Sequence, residues 1–264
     1  MFSLRFWLPF TLLLWENSIA ALVSNKNIKP KIVNGDQASL GQFPWQVAIN
    51  FFGEVETWWC GGVIISEQFI LTAAHCGMTW EVLSSDVYSG FIDWENRGDS
   101  TFGVNFITYN DFNPQTMAND IALIEIIFPL EFNDNVKAID LDSEVLGSDV
   151  NVTVSGWGQT TDDADLAPFL NYIILSTIDN SECDQIYGKG TIRDEMFCAL
   201  PIGNVIQATC FGDSGGPAVV YQNGSPTLVG ISSFISDRGC EKGDPSGFTR
   251  IANFREWIRS VTGV

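Results

Sequence analysis

The chain has 264 residues, 45% of them hydrophobic, enough for one large domain or two small ones sharing a core. Thirteen Lys and Arg against 32 Asp and Glu give a net charge of −19. Phosphate binding needs clustered Lys and Arg, so nucleic acid is disfavoured as a partner, and the acidity alone implies a soluble, self-repelling surface.

The first twenty residues carry one cation, Arg5, an apolar stretch over 6–15, and small residues Ser18 and Ala20 before a cleavage point. This is a signal-peptide pattern and predicts a secreted, extracellular protein. The competing membrane anchor fails on length, because a span needs about 18 apolar residues and no later segment reaches that. Short apolar runs bounded by Gly, Asn, Asp and Pro follow at 45–52, 62–65, 121–127, 150–154, 172–175, 217–221 and 228–234. They read as strands. The one helical pattern is terminal, where Ile251, Phe254, Trp257, Ile258 and Val261 recur at spacings of three and four. No low-complexity tract or internal repeat interrupts the body. The elements predict an all-β barrel or sandwich with a closing helix.

Six cysteines, Cys60, Cys76, Cys183, Cys198, Cys210 and Cys240, suit three disulfides in an oxidising compartment. Spacing alone selects no pairing. A zinc site is the rival reading, but there is no CxxC pair and only one histidine, so no metal is expected. Nine tryptophans raise the question of sugar binding; scattered as they are, they read as core packing.

Three distant segments carry the chemistry: Leu71-Thr72-Ala73-Ala74-His75-Cys76, Asn119-Asp120-Ile121-Ala122-Leu123 and Gly212-Asp213-Ser214-Gly215-Gly216-Pro217. A serine alcohol is a poor nucleophile at neutral pH. It needs a base to take its proton, and the base needs a carboxylate to fix its tautomer. His75 is the only histidine that could serve. Together the segments resemble the chymotrypsin-like, trypsin-fold serine peptidases, with His, Asp and Ser in that family's order. The resemblance runs from Ile32 to about Val261 and includes Phe43-Pro44-Trp45-Gln46, Cys60-Gly61-Gly62 and Ser155-Gly156-Trp157-Gly158.

The resemblance implies two six-stranded antiparallel barrels with a C-terminal helix, about 32–135 and 136–264, within a peptidase domain over 32–264. His75 and Asp120 then belong to the first barrel and Ser214 to the second. It also implies the pairing Cys60–Cys76, Cys183–Cys198 and Cys210–Cys240. Ser214 would be the nucleophile, His75 the base, Asp120 its orienter, and the Gly212 and Ser214 amides the oxyanion hole. Gly215 and Gly216 read as a tight turn. No cofactor is implied.

Lys31-Ile32-Val33-Asn34-Gly35 resembles an activation junction, with Asn34 where Gly is usual. Cleavage after Lys31 by a trypsin-like protease would free an Ile32 ammonium to pair with buried Asp213, making residues 21–31 a short propeptide. At the specificity pocket the resemblance assigns Ala208 to the base and Ser233, Phe234 and Ile235 to one side. Ser246 would lie across it, and Asp244, which falls just before Pro245, is expected to point outward. Without an acid at the base, cleavage is expected after small or medium apolar residues. The run 239–250 looks like the arthropod chymotrypsin/elastase and serine-collagenase group. Protein or peptide substrates, serine-protease inhibitors and a monomeric state are the expected company. No amino-terminal recognition domain precedes 32, so digestion or tissue degradation is favoured over a regulatory cascade. A catalytically dead homologue acting as a binding module is the rival, and it ordinarily lacks a triad member. Sequons at Asn151 and Asn223 are candidate glycosylation sites, with Asn151 beside a predicted core strand.

Overall fold

The computed structural model describes residues 32–78, 82–98 and 100–264. The expected signal peptide, the propeptide and Lys31 lie outside the described residues. In chain order the strands are β1 (Asp36–Gln37), β2 (Gln46–Phe52), β3 (Thr57–Ile64), β4 (Phe69–Thr72), β5 (Ser84–Ser89), β6 (Ser100–Thr108) and β7 (Ala122–Ile126). There follow β8 (Asp140–Leu141), β9 (Asn151–Gly156), β10 (Asn171–Ile178), β11 (Met196–Pro201), β12 (Pro217–Gln222), β13 (Ser225–Phe234) and β14 (Ser246–Arg250). Among the described residues, three short helices, α1 (His75–Met78), α2 (Asn180–Tyr187) and α3 (Arg255–Thr262), punctuate them.

Strands β2-β3-β4-β7-β6-β5 form one closed antiparallel barrel. The second closes as β9-β10-β11-β14-β13-β12, with β12 returning to β9. Closure leaves no free edge on either sheet. The short β1 adds to β10, and β8 runs parallel beside β13.

Strands β2 and β7 bury nearly every residue and β3 does so from Cys60 to Ile64, which is why 45–52, 62–65 and 121–127 read as apolar runs; the four-residue β4 is not among the runs read. Strand β5, Ser-Ser-Asp-Val-Tyr-Ser, escapes that reading because it carries too little apolar periodicity, and β6 escapes it because its Phe102, Val104 and Phe106 alternate with polar or small residues and form no continuous apolar run. Their ladders with β2 and β7 hold them extended. The first core contains Val47, Ile49, Phe51, Ile64, Leu71, Leu123 and Ile124, all without solvent exposure. Burial of such a side chain contributes roughly 1.5–3 kcal/mol relative to exposure. The second core gathers Ile32, Val152, Leu175, Phe197 and Phe248, so the residue after the expected activation cut is itself a core residue.

The terminal helix is shorter than its periodicity suggests. A 3-10 turn, Ile251–Phe254, precedes α3, and Phe254 and Trp257 pack edge-on against Tyr109 of the first barrel's half. Trp59, Trp94 and Trp157 join Phe91 in one aromatic cluster, with Phe91 stacked on Trp157 at 4.6 Å and Trp59 edge-on to Trp94 at 4.5 Å. These tryptophans are packing residues. The structure pairs Cys60 with Cys76, Cys183 with Cys198 and Cys210 with Cys240.

Candidate active site

His75 opens α1 immediately after β4, and the neighbouring Cys76–Cys60 bond ties that turn back to β3. Asp120 sits just before β7 and has no solvent exposure. Its carboxylate accepts from the His75 backbone N–H at 2.8 Å, from His75 Nδ1 at 2.7 Å and from Ser233 Oγ at 2.5 Å. A buried carboxylate requires such donors, since an unpaired one costs several kcal/mol. The Nδ1 contact leaves Nε2 as the imidazole's outward nitrogen. Burial opposes charging of His75, but the Asp120 charge and hydrogen bond outweigh it and raise the imidazole pKa above its ordinary value.

Ser233 reaches Asp120 because the β13–β14 register shifts between Ser232 and Phe234, leaving Ser233 as an extra residue aimed at the seam. Sequence reading placed Ser233 only as a backbone partner for substrate. Nothing in its local pattern signals the hydroxyl contact. Thr249 Oγ1 donates to the Asp120 carbonyl at 2.8 Å, a second unanticipated tie from the second barrel.

Ser214 lies on the loop between β11 and β12. That loop meets the first barrel through backbone: Gly61 N–H donates to the Ser214 carbonyl at 2.7 Å. A Cβ on Gly61 would stand 2.8 Å from Gly216 Cα, and one on Gly215, at φ +76°, would collide with Thr72 and Gly61. Gly215 and Gly216 therefore do more than form a tight turn; they allow the two barrels' backbones to touch. Ser214 and His75 line one cleft of about 290 Å³ with Thr209, Cys210, Phe211 and the segment 232–235.

Gly212 has φ +94°, a backbone state glycine adopts without strain. Asp213 is fully buried and accepts from Gly158 N–H at 2.8 Å and Cys210 N–H at 2.9 Å. Gly156 and Gly158 leave the space its carboxylate occupies, which gives the Ser-Gly-Trp-Gly segment a physical reason. No cation stands beside it among the described residues, and burial, partly offset by the two N–H donors, pushes its pKa up to about 7. Nearby, Val33 bridges to Ala208.

Ala208 and Ser246 are buried, and Ser246 Oγ accepts from the N–H of the cleft-lining Thr209 at 3.1 Å. Asp244 does not point outward. Its side chain is 7% exposed and is held by Arg238, with Nε at 2.8 Å from Oδ2 and a second contact to Oδ1. Burial opposes its charge, yet the Arg238 hydrogen bond keeps the carboxyl below its ordinary pKa. Ile235 and Phe234 line the cleft as expected, and Ser233 does so too. Among the described residues two clusters have metal-like spacing, Cys60-His75-Cys76 and Asp162-Cys210-Cys240, but their cysteines are bonded as disulfides and offer no thiolate. No described helix is long and apolar enough to cross a membrane.

The chain was compared with known proteins. Residues 32–258 match the family model described as Trypsin. A protein named collagenase from Hypoderma lineatum is 37% identical over 243 residues, covering 89% of this chain and 88% of that protein. Serine protease 1 of Drosophila melanogaster is 33% identical over 251 residues, covering 90% and 88%. A solved structure, titled HL collagenase structure at 1.7 Å resolution, superposes with a TM-score of 0.78 at 36% identity, covering 88% of this chain and 99% of that one. With the barrels, the paired His75 and Asp120, and Ser214 in their shared cleft, these matches place the chain in the trypsin family, as a serine endopeptidase acting on peptide substrates.

Proposed function

We propose that the chain is the zymogen of a secreted serine endopeptidase in which Ser214 attacks the scissile carbonyl. His75 takes the Ser214 proton and returns it to the leaving amine; water then releases the acyl group by the same route. Asp120 holds the His75 tautomer and stabilises the imidazolium, and the Gly212 and Ser214 amides receive the oxyanion. The observation that carries this reading is the Asp120–His75 pair, 2.7 Å apart and buried on the carboxylate side, opening on the cleft that Ser214 lines.

Residues 1–20 act as the signal peptide and 21–31 as the propeptide, removed by a trypsin-like protease cutting after Lys31. The Ile32 ammonium then supplies the cation that buried Asp213 lacks. Specificity follows from the cleft. Among the described residues, the only ionisable side chain in its lining is His75, and Asp244 is already engaged by Arg238. A substrate Arg or Lys would be desolvated without a counter-charge, at a cost of several kcal/mol. Ile235 narrows the entrance, so Ala, Val and Leu are favoured before the scissile bond. Digestion or tissue degradation, as a monomer checked by serine-protease inhibitors, fits this breadth. Asn223, exposed at the β12–β13 turn with φ +52°, is the favoured glycosylation site. Asn151 is also exposed, at the first position of β9, and not shielded by the core strand it begins.

Ser214→Ala should fold and be secreted while losing nearly all hydrolysis, because Ser214 supplies the attacking oxygen and little of the core. Turnover within about tenfold of wild type would remove Ser214 from the nucleophile role. In the activated wild type, a serine-directed phosphonate should label Ser214; a binding module without catalysis would stay unlabelled.

Activation has its own pH signature. A carboxyl with a raised folded pKa favours the fold while protonated. Its contribution is lost as pH climbs from the unfolded value, about 3.9, through the folded value. With Asp213 at about 7, the intact chain should lose stability between roughly pH 4 and 7 from this group. Asp213→Asn should remove that slope in the intact chain. Cutting between Lys31 and Ile32 should also remove it and switch hydrolysis on, with active enzyme reading Ile-Val-Asn-Gly at its amino terminus. An active form that retains residues 21–31 would refute the switch.

Peptide-library profiling should show cleavage after Ala, Val and Leu, with a broad preference because one methylene changes discrimination by only about 1–3 kcal/mol. A profile dominated by Arg or Lys would overturn the pocket reading. One dominated by Phe and Tyr would show that Ile235 leaves the entrance open.

A further inference from the structure

The direction of the Gly212 N–H is fixed by the peptide unit it shares with Phe211. In a trans peptide the C=O and N–H point opposite ways, so whatever grips the Phe211 oxygen also aims the Gly212 donor. The grip comes from Gln159, whose backbone N–H donates to the Phe211 carbonyl at 2.8 Å. Gly212 itself is closed in from one side, since a Cβ there would collide with Leu166 Cδ2 and stand 3.2 Å from Gly158 Cα. Gln159 and Leu166 pair with each other as an antiparallel bridge, so both contacts come from one narrow hairpin, residues 159–166.

The tip of that hairpin is anchored across the cleft wall. Asp162 Oδ1 accepts from Cys240 N–H at 2.6 Å, and the Asp162 N–H donates to Glu241 Oε2 at 3.1 Å. Gly239, at φ +100°, leaves room for the Asp162 carboxylate where a Cβ would stand. Cys240 is bonded to Cys210, the residue before Phe211. The hairpin thus leans on both sides of the same loop, although none of its residues lines the cleft beside His75.

We infer that hairpin 159–166 is a strut that aims the Gly212 oxyanion donor, with Leu166 and Asp162 as its positioning residues. The inference rests on the reading of Gly212 as an oxyanion donor. Glycine visits positive and negative φ at similar cost, so without Leu166 against it the Phe211–Gly212 peptide keeps only the Gln159 N–H as its restraint and rotates more readily. Rotation withdraws the donor from the transition state and leaves substrate binding by the cleft walls intact. Loss of one such donor costs about 10²–10³ in turnover, and partial loss costs less.

The test uses the activated full-length protein and a peptidyl boronate with Leu at its reactive end, whose tetrahedral adduct needs the oxyanion donors. Leu166→Ala should lower kcat by about 10–100-fold with KM within about threefold, and weaken boronate inhibition in the same proportion. Leu166→Met should restore most of both, because it refills the space beside Gly212. Asp162→Ala should act in the same direction through the tip, and Asp162→Asn, which keeps an acceptor for Cys240 N–H, should be milder. Should Leu166→Ala fail to unfold cooperatively on heating, the Asp162 pair decides. A folded Leu166→Ala or Asp162→Ala enzyme with wild-type kcat and boronate affinity would overturn the strut. A wild type that the boronate does not inhibit would instead sink the oxyanion reading beneath it, and the strut with it.

Discussion

A carboxylate with no solvent exposure, held between two β-barrels, is the constraint around which the rest of this molecule is arranged. Asp120 cannot be left unpaired there, because removing a partner from a buried charge costs about 3–5 kcal/mol. Its donors come from both halves: the His75 backbone and ring from the first barrel, and the Ser233 hydroxyl from the second. Satisfying the charge and docking the barrels are therefore one event. The orientation of the imidazole is a by-product of that docking, and the proposed catalytic base inherits its tautomer from an interaction the fold needs anyway.

Around this seam, absence of side chains matters as much as their presence. Gly61 and Gly216 let two backbones approach to contact, which brings the Ser214 loop against β3. Gly156 and Gly158 clear the volume in which Asp213 sits. The Asp213 carboxylate is then buried with two backbone donors and no described cation, a poorly compensated charge that a newly freed ammonium would relieve. Asp120 and Asp213 contrast in this respect. One is satisfied by side-chain and backbone donors from both barrels, and the other has two backbone donors and no cation among the described residues.

The fold and the chemistry were legible in the sequence to different depths. Strands buried on both faces, such as β2 and β7, announce themselves as apolar runs, whereas β5 is a polar segment held by its ladders and β6 shows only an alternation of Phe102, Val104 and Phe106. His75, Asp120 and Ser214 were readable because their flanking segments are specific. Ser233 and Thr249 were not, because their roles arise from a register shift and from contacts more than a hundred residues apart in sequence. The misplacement of Asp244 has a similar origin. Its neighbour Pro245 suggested an outward turn, but Arg238, six residues earlier and itself exposed, pairs with the carboxylate while the acid is buried.

The chain contains a single histidine, so the central claim can be read without ambiguity of assignment. Protein labelled with ¹⁵N-histidine shows one imidazole, whose ring nitrogen shifts report its protonation and tautomer as pH is varied. The imidazole should titrate above the ordinary value of 6.5, with the proton on Nδ1 when neutral. Asp120→Asn should move the titration down, because burial then acts without the opposing charge. A wild-type imidazole that titrates at or below the ordinary value, or one whose titration is indifferent to Asp120→Asn, would contradict the central claim.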